Sequence, residues 1–78
     1  MKNKIKLSQA NQRDLKEKIV RYFAEERGED LGELASQLIL DFVMEELAPN
    51  IYNQGVEDAH IYMKDRIEDL FALQIVRR

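Results

Sequence analysis

The rhythm of apolar and polar residues changes along this chain. In the opening KNKIKLS, Lys2, Lys4 and Lys6 alternate with Ile5 and Leu7. That period of two predicts a half-buried strand or extended arm over residues 1–7. Ser8 then stands where a helix N-cap is expected, with Asn11 rather than Glu or Gln at the capping-box position. Over residues 9–26 the apolar residues Leu15, Ile19, Tyr22 and Phe23 recur at helical spacing and predict a first helix. Gly28 follows Arg27 as a left-handed stop. Asp30 with Glu33 forms a capping-box pattern for a second helix over 31–47. Pro49 marks the end of that helix. A third helix is expected over 51–75, opened by Asn50 or Asn53.

The second predicted helix is apolar around most of its circumference. Leu31, Leu34, Ala35, Leu38 and Phe42 form one stripe. Leu40, Val43, Met44 and Leu47 form another, joined to the first through Ile39. Three short helices cannot cover both stripes, and a large uncovered apolar patch marks an interaction surface. The expected dimer interface is therefore Ile39, Leu40, Val43, Met44 and Leu47. Asp41 interrupts the helix on a narrow polar strip with Gln37 and Glu45. It is read as solvated, or else as capping a helix or gripping a cation. On the third helix Tyr52, Gly55, Val56, Ala59, Tyr62, Met63, Ile67, Leu70 and Leu73 share a face. Asn53, Glu57, His60, Lys64 and Glu68 share the opposite one. The fold class is mostly α, with three helices and a short N-terminal strand or arm, assembled as a homodimer.

Composition strengthens the case for self-association. The chain has 78 residues, no cysteine and one histidine. A domain this small buries only about 60% of its unfolded surface and commonly needs disulfides, metal or oligomerisation. Disulfides and thiolate zinc sites are excluded by composition, and a single histidine cannot build a multi-histidine metal centre. The formal charge is −3, unevenly spread. Residues 1–27 carry eight basic and four acidic side chains, and residues 28–60 carry eight acidic and no basic ones. Ordinary surface charge accounts for this, though a basic front and an acidic middle can also steer association. The basic start lacks the apolar run of a signal peptide, and no segment has membrane-spanning length. A cytoplasmic location is expected, with no membrane contact.

Little in the chain points to catalysis. Ser8 and Ser36 have no histidine placed near them by sequence. Glu57 and His60 are helix neighbours, but His60 falls on the polar face. Gly28, Gly32 and Gly55 do not form a phosphate-binding run. No enzyme activity, cofactor or metal is expected. A lysine-bearing strand followed by two helices resembles the ribbon-helix-helix regulators in outline, where paired strands enter the DNA major groove. Lys2, Lys4 and Lys6 would then touch DNA. The acidic net charge, the thin set of base-reading side chains and the long third helix count against it. The favoured function is a small homodimeric interaction or structural module, with DNA binding as the alternative. Its expected partner is a second copy, or else an unidentified protein.

The succession IKLS, RYF, GELASQLILDF and PNIYNQGVEDA resembles a family of uncharacterised bacterial proteins, the domain-of-unknown-function family numbered 2164. The resemblance covers residues 4–65. It implies a compact helical domain in bacteria and no particular activity, substrate or cofactor. The family's distinctive positions fall here on Asp41, Tyr52, Asn53, Gly55, Asp58 and Ala59. Where the family often has glycine before the proline, this chain has Ala48. Most of the motif has a packing explanation. Gly55 and Ala59 let another helix approach, and the Tyr52 hydroxyl is expected to find Asp41. Asn53, Asp58 and His60 remain as side chains that packing does not require.

Overall fold

The computed structural model describes residues 5–74. The extended start behaves as its alternation predicts as far as it is described. Ile5 and Leu7 are half-buried and Lys6 is exposed, but residues 5–8 carry no regular structure. The side-chain amide of Gln12 holds this segment by donating to the Leu7 carbonyl at 3.0 Å. Helix α1 then runs Gln9–Arg27. Its N-cap is Ser8, whose hydroxyl oxygen accepts from the Asn11 amide at 3.1 Å. Its C-cap is Gly28 at φ 63°, a left-handed conformation that suits a residue without a Cβ.

Helix α2, Glu33–Phe42, starts later than its sequence pattern suggests. Gly32 is the N-cap and no side chain caps the helix, so the Asp30–Glu33 capping box does not form. Glu33 is engaged elsewhere. Its carboxylate accepts from Lys16 Nζ of α1 at 2.8 Å, and its carbonyl accepts from the Ser36 hydroxyl at 2.9 Å. The same lysine reaches Gln37 at 3.1 Å. This polar clasp joins α1 to the first turn of α2.

Pro49 does not end the second helix. After α2 the chain widens into a π turn, Val43–Leu47, and continues directly as α3, Ala48–Leu70, followed by a 3₁₀ turn, Phe71–Leu73. Ala48 itself is helical, at φ −60° and ψ −35°, and its amide donates to the Val43 carbonyl, five residues back. Proline disrupts a helix because it lacks an N–H and its ring meets the carbonyl one turn earlier. At the first turn of α3, following the π turn, that conflict is absorbed. The expected three helices are therefore two, α1 and one long rod from Glu33 to Leu73. Asn50 and Asn53 lie inside the rod rather than at a free helix start.

The core is correspondingly small. Among the described residues, Leu40 and Ser36 alone are buried, each at 2% exposure. They lie one turn apart on α2. Leu15, Ile19, Val20 and Phe23 of α1 are half-buried, as are Ile39, Val43 and Met44 on the rod. Tyr22 stays exposed and sets its ring edge-on to Phe23, with centroids 5.6 Å apart. The implied compact domain is thus an elongated one. Its radius of gyration is 20.4 Å, against about 11.5 Å for a compact chain of this length.

Candidate interaction surface

The candidate residues fall into two groups once α1 is in place. Of the five assigned to a dimer interface, Leu40 is buried inside the protomer. Ile39, Val43 and Met44 are half-buried near it, and Leu47 is exposed. The stripe of α2 that α1 leaves bare is the other one. Leu34, Leu38 and Phe42 are 72%, 58% and 55% exposed. A wheel shows two stripes but not which of them meets α1, and the buried Ser36 carried no hydrophobic signal. Its small side chain sits beside Leu40 and satisfies its hydroxyl on the Glu33 carbonyl.

Among the described residues, the apolar face of α3 meets no other helix of the protomer. Tyr52, Val56, Tyr62, Met63, Ile67 and Leu70 are all more than half exposed. So are Ile51, Phe71 and Leu73. Arg66 crosses this face with its guanidinium 5.1 Å from the Tyr62 ring centroid and 3.5 Å from the Asp69 carboxylate. Gly55 lies on it with nothing within 4 Å of the position a Cβ would take. The chain exposes 7227 Å² in all. A compact monomer of 9.2 kDa exposes about 4,900 Å². The excess of about 2,300 Å² per chain doubles to a total inside the range of roughly 2,000–5,000 Å² for obligate homodimer interfaces.

The motif residues are spread along the rod rather than gathered. Asp41 accepts from the Gln37 side chain at 3.0 Å. Tyr52 lies eleven residues further along a continuous helix, about 16 Å away along the axis, so the expected Tyr52–Asp41 contact does not form. Asp58 accepts from Gln54 at 3.0 Å. Asn53, Ala59 and His60 are exposed on α3. Among the described residues no set of three or more histidine or carboxylate side chains converges as a metal site. No described helix is long and apolar enough to cross a membrane. Lys2 and Lys4, named for DNA contact, lie outside the described residues, whereas Lys6 is exposed. No strand pairs with it among the described residues.

A polar groove beside the Lys16–Glu33 clasp is lined by Gln9, Arg13, Glu17 and Arg21. Its charges are mixed and its central lysine is already paired. A second, apolar groove runs between Leu15, Ile19 and Phe23 of α1 and Ile39 and Val43 of the rod. No curated protein and no solved structure matches the chain. A family model does match, over residues 5–74, and its description is an uncharacterized conserved protein. On that match, which spans nearly the whole chain, the protein belongs to the domain-of-unknown-function family DUF2164.

Proposed function

We propose that this chain is a small homodimeric interaction or structural module, without catalysis, that works by helix packing. The observation that carries this reading is the bare apolar face of α3, on a chain that as a whole exposes more surface than a compact one of its mass. Burial of apolar surface contributes roughly 25 cal/mol per Å². A few large side chains moved from water into an interface therefore rival the ~5–15 kcal/mol of a whole domain's stability. Most helical stability in proteins comes from tertiary packing of an apolar face, and among the described residues α3 packs against no other helix of its own protomer. A second copy supplies such support symmetrically.

Sedimentation equilibrium combined with circular dichroism tests the reading. The expected result is twice the chain mass at micromolar concentration, with helicity that falls on dilution through dissociation. A monomer that keeps its full helical signal at every concentration overturns it. Titration with mixed duplex DNA at low salt is the companion measurement. Tight binding that disappears when Lys2, Lys4 and Lys6 are neutralised would favour a regulator instead, because that contact is electrostatic.

A further inference from the structure

The bare face of α3 carries two features that constrain its packing. The first is Gly55. Glycine is unfavourable inside a helix relative to alanine, and here no neighbouring atom requires it, since a Cβ would meet nothing within 4 Å. Together with Ala59, one turn on, it makes a low point in an otherwise bulky face. The second is Arg66, a cation of this face that lies over the Tyr62 ring and is paired only loosely, at 3.5 Å, with the exposed Asp69.

Both features bear on how a second copy could lie against the first. In a parallel, in-register pair each residue meets its own counterpart. Arg66 would face Arg66 within the apolar stripe, a juxtaposition of like charges that costs affinity. In an antiparallel pair residues equally far on either side of the two-fold axis share a level. Full overlap of α3 with its copy requires that axis at the helix midpoint. For a helix running from Ala48 to Leu70, the midpoint is Ala59. Gly55 then shares a level with Met63, a gap opposite a long flexible side chain. Arg66 shares a level with Tyr52, so each guanidinium meets a second aromatic ring instead of a second cation.

We propose that α3 packs antiparallel on the α3 of a second copy, crossing at Ala59. The proposal rests on the dimer reading above and adds its geometry. The two α1–α2 units then project from opposite ends. Their uncovered Leu34, Leu38 and Phe42 lie outside the α3 crossing.

The absence of cysteine makes the test direct. Single-cysteine variants Ala59→Cys, Leu70→Cys and Ala48→Cys are oxidised alone and in mixtures, after sedimentation of each reduced protein. In the antiparallel pair the two copies of position 70 are about 33 Å apart along the axis, far beyond the ~7 Å Cα limit of a disulfide. The expected pattern is near-complete linking of A59C to itself and none of L70C to itself. A mixture of L70C with A48C should give a linked heterodimer. Self-linking of L70C with no A48C–L70C product overturns the antiparallel geometry while leaving the dimer intact. Dimeric mass without linking in any variant also overturns it, because the interface then lies away from α3. A monomeric mass for the unsubstituted chain overturns the dimer reading itself.

Discussion

The two halves of this molecule solve the problem of stability differently. From Ser8 to Met44 the chain largely supports itself. A hydroxyl caps α1, a left-handed glycine ends it, and the Lys16–Glu33 clasp ties it to α2 over the buried Leu40. From Leu47 to Leu73 every described side chain except those of Ala48 and Pro49 is exposed. What ion pairing is recorded there, Arg66 with Asp69, is local to one helix face and of the exposed kind that is worth at most about 1 kcal/mol. The comparison teaches that a chain can place its self-sufficient packing at one end and hold the other as a preformed but unsatisfied surface. The first half defines a protomer, and the second carries the face that the proposed dimer would cover.

The sharpest way to break that comparison is to charge the bare face. Val56→Asp with Met63→Asp should abolish dimerisation and, with it, much of the helical signal of α3. Gel filtration with circular dichroism reads both, and a monomer of undiminished helicity would show that α3 stands alone. Next in size is Leu40→Ala in the self-packed half. It should lower stability by about 2–3 kcal/mol, the low end for a buried leucine because the neighbours are only half-buried and can relax. Urea denaturation at fixed protein concentration measures it.

The two glycines Gly28 and Gly55 sharpen the comparison through opposite logic. Gly28→Ala forces a Cβ into the left-handed region at φ 63° and should cost about 1 kcal/mol in the chain's own fold. Gly55→Ala would stabilise an isolated helix by up to about 1 kcal/mol. At a close helix crossing the same methyl intrudes, so dimer affinity should fall instead. Concentration-dependent thermal melts give the sign. The smallest effect is that of Ser8→Ala, which removes the N-cap bond at about 1 kcal/mol or less and leaves dimer affinity unchanged.

The features that were legible in advance are those governed by neighbours in sequence. Ser8 and Gly28 follow local capping rules, and Leu15, Ile19 and Phe23 follow helical periodicity, so the structure places them as the pattern implies. Pro49 obeys a rule too, but one with an exception that only the widened turn before it supplies. Nothing in VMEEL signals a π turn, since those residues suit an ordinary helix equally well. The stripe through Leu40 and the stripe through Leu38 are similar in apolarity, and choosing between them needs the position of α1. Ser36 was invisible for the opposite reason, being buried for its small size rather than its hydrophobicity. The N-cap of α2 is Gly32 instead of Asp30, and Glu33 is engaged by Lys16 of α1, a tertiary contact that no local window contains.

The π turn at Val43–Leu47 also works as an angular setting between the two halves. Each residue in an α-helix advances the face by about 100°, so a single residue accommodated there changes which way α3 presents its stripe relative to α1. Tightening this turn to an ordinary α turn with every residue kept would turn one half against the other by about that angle. In the proposed symmetric pair that rotation would be applied twice, so the width of this one turn would bear on the shape of the whole assembly.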